Sequence, residues 1–211
     1  MIDRYETTMA VLLLTFSALS GTIAQAKPKL AYALDSEKSA LQIHVYKEGL
    51  FKAFGHDHLI SANKISGRVM FNQETLEDSS VDFTVQANSL SVIDPGESEK
   101  DRRQVQNTMA GKDVLDEERF PEIRFTSTHV EHVKKTDGGW EVTLEGLLML
   151  HGVEKPISMP LHVSVKDGEL RAEGETSLLQ TDFGITPIKV AGASVRVKNK
   201  VRVRFNLAAE K

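Results

Sequence analysis

The chain has 211 residues, a length typical of one domain or of one domain with a processed segment. Charged residues make up 27% and hydrophobic residues 40%, the composition of an ordinary folded protein rather than a disordered chain or a helical membrane bundle. The formal net charge of -4 predicts no nucleic-acid partner, and the absence of cysteine excludes disulfides, thiolate catalysis and thiolate metal sites.

The first feature along the chain is an apolar run in residues 10–19, AVLLLTFSAL. It is too short to span the roughly 30 Å hydrocarbon core of a bilayer. Small residues Ala24 and Ala26 follow it at the spacing of a signal-peptidase site. We therefore predict that residues 1–26 are a signal peptide, that Lys27 is the first mature residue, and that the protein is exported. The alternative is an N-terminal core helix of a cytosolic protein.

Residues 81–87 alternate apolar and polar side chains with a period of two, the pattern of a half-buried strand. Val81, Phe83 and Val85 share one face, and polar side chains occupy the other. A turn signal, Asp94-Pro95-Gly96, follows.

The next element is predicted to be a short helix around residues 98–111. Ser98 offers a capping hydroxyl with Asp101 three residues later, and Gly111 ends the segment. Val105 and Met109 are four residues apart and form a thin apolar stripe. We therefore expect this helix to lie on the surface of a β body.

Three later segments, residues 140–145, 161–166 and 201–207, alternate as residues 81–87 do. The short spacing of strands and turns predicts antiparallel neighbours, and hence a sandwich or an up-and-down barrel, with residues 27–211 as one domain. The turn signals around these segments are Asp137-Gly138-Gly139, Asp167-Gly168 and Lys198-Asn199-Lys200.

Residues 146–150, GLLML, are apolar on both faces of the predicted strand. One face can point into a barrel, and the other then needs a cover. We expect the short helix to provide it, with a second subunit as the alternative, so that monomer and homodimer both remain open.

Three segments of the sequence carry recognisable motifs. In residues 116–125, Asp116, Phe120, Pro121, Ile123 and Phe125 fill the pattern D-x-x-x-(F/Y)-P-x-I-x-F. Residues 145–157, EGLLMLHGVEKPI, are similar to G-x-L-T-L-x-G-V-x-K-P-V, and residues 65–71 are similar to x-S-G-x-I-x-F. In their order and spacing these motifs resemble those of the YceI-like lipid/polyisoprenoid-binding family, and the resemblance spans nearly the whole chain after residue 26.

This resemblance implies an all-β, eight-stranded antiparallel lipocalin-like barrel with a small helical insertion. It also implies a periplasmic protein that holds an isoprenoid or other long-chain lipid. Because transfer of such a lipid from a bilayer into a barrel is close to neutral, transient exchange with a membrane is expected, and no cofactor is predicted. A barrel of about eight strands is near the size at which its own side chains fill the interior or leave room for one ligand. From the alternation and the resemblance together, the side chains expected to contact the ligand are Phe83, Val85, Phe125, Val142, Leu144 and Leu148.

The densest polar group in the sequence is His56-Asp57-His58. In an extended strand His56 and His58 share one face, and two imidazoles suit Zn²⁺ or Cu²⁺ if a third ligand is near. Because only two imidazoles are certain to share a face, we expect His56 and His58 to line the barrel mouth with no metal, hydrogen-bonded to backbone or water or in contact with the headgroup of the ligand. The further ligands by residue type are His44 and His151, while His129 and His132 are expected on a solvated face.

The sequence contains no G-x-S-x-G elbow and no serine with an identifiable base, so no catalytic residue is predicted. Three functions remain: an exported lipid carrier or reservoir, a metal-binding or metal-dependent protein using the His-Asp-His segment, and a stress-induced protein whose barrel is filled by its own side chains.

Overall fold

The computed structural model describes residues 28–48, 57–190 and 195–211. The predicted signal peptide, residues 1–26, and His56 lie outside this part of the chain. The described residues form one helix, α1 (Glu99–Ala110), and the strands β1 (Leu30–Glu48), β2 (His58–Ala62), β3 (Ile65–Phe71), β4 (Ser80–Gln86), β5 (Leu90–Val92), β6 (Glu122–Thr136), β7 (Gly139–Leu150), β8 (Val153–Lys166), β9 (Glu169–Leu179), β10 (Lys189–Val190) and β11 (Val195–Glu210).

Eight of these strands close into an antiparallel barrel. The order is β1-β3-β4-β6-β7-β8-β9-β11, and β11 returns to pair with β1. This last pairing runs from Ala33 opposite Glu210 to Glu48 opposite Arg196. Closure leaves no free edge among the eight strands. The predicted all-β fold, an eight-stranded antiparallel barrel with one inserted helix, is confirmed.

Tight turns set the order of β7, β8 and β9. His151 and Gly152 join β7 to β8 with φ values of 52° and 73°, and Asp167 and Gly168 join β8 to β9 with 52° and 86°. Two successive residues with positive φ match the right-handed twist of a hairpin. The turn predicted at Asp167-Gly168 is therefore present.

The turn predicted at residues 198–200 is wrong, because β11 continues through them as a strand. Asn199, which suggested a turn, instead uses its side chain to bind Thr181, in the 3-10 turn that follows β9. Its Oδ1 accepts a hydrogen bond from the Thr181 backbone N–H at 3.0 Å, and its Nδ2 donates to Thr181 Oγ1 at 2.9 Å. With its amide satisfied in this way, asparagine is accommodated within the strand.

Strands β2 and β5 extend the wall beside β1. The second half of β1 pairs with β2, and β2 pairs with β5. Helix α1 packs on β5, where Gln106 Nε2 donates to the Leu90 carbonyl at 2.8 Å and Gln106 Oε1 accepts from the Val92 N–H at 2.9 Å. A glutamine side chain thus supplies the partners that the outer edge of β5 lacks.

The helix begins where the sequence predicts. The Asp101 backbone N–H donates to Ser98 Oγ at 3.1 Å, which satisfies one of the open donors of the first turn. No helix in the described part of the chain is both long enough and apolar enough to cross a membrane.

The expected cover for the outer face of β7 is not provided by α1. Met149, on that face, is 36% exposed, whereas the buried Met109 of the helix lines the cavity inside the barrel. The expectation that the helix covers this strand is therefore wrong.

The two ends of the barrel differ. At one end Phe71 makes edge contacts with Tyr32 and Trp140, with ring centroids 6.2 Å and 6.0 Å apart, and Tyr32 and Phe71 are 2% and 3% exposed. We call this the aromatic end. The opposite end, where β1 and β9 finish and α1 packs, is called the helix end.

Candidate ligand-binding site

A cavity of about 260 Å³ lies inside the barrel. Its lining on β11 runs from Val201 to Ala209, which is roughly 20 Å along the barrel axis at the usual strand rise and tilt. Among the described lining residues none is charged, and the polar ones are Ser79, Ser80, Thr176 and Gln180. The cavity is therefore long, narrow and apolar.

All of the six apolar side chains that the sequence suggested for ligand contact line this cavity. They come from the neighbouring strands β4, β6 and β7, and register pairs Phe83 with Phe125 and Phe125 with Leu148. The remaining three are Val85, Val142 and Leu144. Their contact with a ligand stays a prediction.

Gly146 makes room for Phe125, one of the two phenylalanines among these side chains. A Cβ at this position would overlap the Phe125 ring and the Thr126 carbonyl. The ring therefore lies across the glycine and stacks on Phe83, with centroids 5.3 Å apart and planes at 28°. This pair narrows the middle of the cavity.

Other lining residues had weaker sequence signals. Alternation in residues 161–166 and 201–207 marked an apolar face there, and Leu161, Phe205 and Leu207 do line the cavity. Val114 and Leu115, which follow α1, also line it but belong to no periodic pattern. Their position depends on how the segment after the helix folds back, which residue spacing does not predict.

The polar lining residues lie at the ends of the cavity. Ser79 and Ser80 lie at the start of β4 near the aromatic end, whereas Thr176 and Gln180 lie near the helix end. Gln180 Nε2 donates to the Lys198 carbonyl at 2.8 Å. Between these ends the lining offers only apolar groups.

A second, polar depression lies beside β1 at the helix end. We call it the polar hollow; its walls are His44, Tyr46, Lys47, Asp57, His58, Leu59, Asp94, Pro95 and Glu97. It is next to the cavity, because His58 is paired with Val45, which lines the cavity.

Asp94 joins β2 to the segment after β5 in this hollow. Its Oδ2 is 2.7 Å from His58 Nδ1, and its Oδ1 accepts from the Leu59 backbone N–H. The Asp94 side chain is only 5% exposed, against 21% for His58. A buried carboxylate that makes both contacts fixes the ring of His58.

The structure separates the histidines that the sequence grouped by residue type. His44 lines the polar hollow with His58, whereas His151 is elsewhere, with its Nδ1 3.2 Å from the Phe183 carbonyl oxygen. His129 and His132 are exposed on β6. Asp57 accepts a hydrogen bond from the Lys47 backbone N–H at 2.9 Å.

Asp94 and Glu97 are the functional candidates that the sequence did not single out. Potential ligand atoms of His58, Asp94 and Glu97 all lie within 4.8 Å of one another. The sequence predicts only that Asp94 begins a turn. In the structure, the pairing of β2 with β5 brings Asp94 close to His58. Local spacing carries no signal for this contact.

Comparison with known proteins agrees with this architecture. The barrel is similar to the crystal structure of BcnA from Burkholderia cenocepacia, with a TM-score of 0.64 and 19% identity over 83% of this chain and 98% of that one. It is also similar to a polyisoprenoid-binding domain from Saccharophagus degradans implicated in plant cell wall breakdown, with a TM-score of 0.60 and 18% identity over 86% and 99% of the two chains.

Sequence comparison identifies relatives over most of the chain. A UPF0312 protein of Pseudomonas fluorescens is 29% identical over 161 residues, which cover 72% of this chain and 75% of the relative. The family model of the YceI-like domain matches residues 32–209, from the start of the first strand of the barrel almost to the end of its last strand. The chain therefore belongs to the YceI-like domain family.

Proposed function

We propose that this protein binds one long apolar chain, an isoprenoid or a comparable lipid, along the axis of its barrel, and acts as a carrier or reservoir rather than as an enzyme. The observation that carries this proposal is the continuous apolar lining over roughly 20 Å of barrel axis. The similarity to a polyisoprenoid-binding domain supports it.

The energetics favour exchange over permanent capture. At roughly 0.8 kcal/mol per buried CH₂, an isoprene unit contributes about 4 kcal/mol on transfer from water, and a forty-carbon chain about 30 kcal/mol. The free energy of non-covalent binding does not exceed about 18–21 kcal/mol in favour of the complex. Immobilising the ligand opposes binding and consumes much of the gain from burial. Since the lipid would come from a bilayer rather than from water, the net free energy of its transfer into the barrel is close to zero.

The lining also supports one orientation of the proposed ligand. Leu207 and Ala209 at the aromatic end are 8% and 2% exposed, whereas Val45, Leu178 and Val201 at the helix end are half-buried. We place the tail of the ligand toward the aromatic end and its polar group toward Thr176 and Gln180. Carriage of a membrane-derived lipid in the periplasm, after cleavage of residues 1–26, completes the proposal.

Filling the cavity tests the function without adding a charge. Ala172 lines the cavity, and Ser177 lies exposed on the outer face of the same strand. We expect Ala172→Phe to remove most of the lipid that co-purifies with the protein, because the new ring occupies the ligand volume, while Ser177→Phe leaves the lipid content unchanged. The measurement is organic extraction of detergent-free protein followed by mass spectrometry of the lipids. Equal lipid in the two variants, both folded, would refute binding in the barrel.

A further inference from the structure

The geometry points to a binding site for a divalent transition-metal cation in the polar hollow, formed by His58, Asp94 and Glu97. It is separate from the lipid cavity and does not depend on what the cavity holds. The site combines one imidazole nitrogen with carboxylate oxygens, a donor set suited to Zn²⁺ and its neighbours in the first transition series.

The distances suit a single ion. One potential ligand atom from each of the three residues lies within 4.8 Å of the others. Ligand atoms about 2.0–2.2 Å from a tetrahedral Zn²⁺ are about 3.3–3.6 Å from one another. His58 Nδ1 and Asp94 Oδ2, now 2.7 Å apart, therefore need to separate by about 0.6–0.9 Å.

Glu97 gives an independent reason to expect a ligand. Its Oε2 is shielded from solvent and has no hydrogen-bond partner among the described residues. A buried carboxylate oxygen without a partner is costly, and native structures satisfy such groups with a proton donor, water or an ion. The second carboxylate, on Asp94, is 5% exposed and Glu97 is half-buried, so two acidic groups with restricted access to solvent share the hollow.

The other side chains of the hollow determine the remaining coordination and the neighbouring charge of a bound ion. Three protein ligands leave a position for water or for a fourth group, and His44 lines the same hollow. Lys47 also lines it, and its ammonium group is the alternative counter-ion for the carboxylates. The sequence alone led us to expect no metal, since only two imidazoles could be assigned to one face; the two carboxylates change that expectation.

The test is a Zn²⁺ titration of the protein purified without a polyhistidine tag and dialysed against a chelator. We expect about one equivalent of Zn²⁺ by calorimetry and a rise in Tm with added metal, because an ion that binds only the folded state stabilises it. Glu97→Gln keeps the shape of the side chain and removes its charge, and should weaken binding by roughly tenfold or more and abolish the rise in Tm.

Glu99→Gln is the matched control. Glu99 is an exposed acid two residues along the chain, 2.7 Å from Arg103, and its loss should leave Zn²⁺ binding unchanged. A second variant, His58→Gln, should also lose binding while it retains a hydrogen bond to Asp94. No saturable binding by the unaltered protein, or equal binding by the Glu97 and Glu99 variants, would overturn the proposed site.

Discussion

At the scale of single residues, the assignment of the inward face of β7 can be tested by a substitution that introduces a charge on that face. Leu144 is 9% exposed and lines the cavity. Leu144→Asp should lower the free energy of unfolding by several kcal/mol and abolish lipid co-purification, because the carboxylate has no partner in an apolar interior. Val142→Asp should behave alike, since Val142 occupies the same face.

Thr143→Asp is the control on the outer face of the same strand. Thr143 is opposite Glu131, so the substitution adds like-charge repulsion of less than about 1 kcal/mol. Urea unfolding followed by fluorescence of Trp140 measures both variants. If Leu144→Asp is no less stable than Thr143→Asp, the assignment of the inward face is contradicted.

The faces of side chains could be predicted from the sequence because a strand alternates strictly. Phe83 and Val85 share a face with a period of two, and the barrel places that face inward. Asp94 and Glu97 could not be found in this way. Their approach to His58 depends on pairing between strands that are distant in sequence, and the chain around Asp94 carries only a turn signal.

At the scale of elements, α1 acts on the barrel through β5. Gln106→Ala should weaken the packing of β5 and cost about 1–3 kcal/mol of local stability, because the Leu90 carbonyl and the Val92 N–H lose their partner. Hydrogen exchange at the Val92 amide should become faster. Gln104→Ala, at an exposed position of the same helix, should leave that amide as protected as before; similar exchange in both variants would rule out this role for Gln106.

The existence of the elements could be predicted more readily than their contacts. The cap at Ser98 and the alternation of β4, β7, β8 and β11 are local features of the sequence, and each is present in the structure. The position of α1 is not local. Its thin apolar stripe could have packed on the outside of β7, but Met109 enters the cavity and Met149 remains exposed.

At the scale of the whole molecule, closure of the barrel creates the site. Each strand contributes one apolar face, and only the pairing of β1 with β11 turns these faces into a single enclosed space. Alternation alone left a sandwich and a barrel equally open, and the family motifs favoured the barrel. The aromatic end then closes one end of this space, around Phe71.

Native mass spectrometry of the unaltered protein, prepared from a bacterial periplasmic fraction without detergent, tests the central claim most directly. We predict a polypeptide that begins at Lys27 and carries one non-covalent lipid, released on collisional activation as a long-chain, isoprenoid-like mass. A protein that shows only its bare polypeptide mass under conditions that preserve other lipid complexes would contradict a lipid-binding barrel.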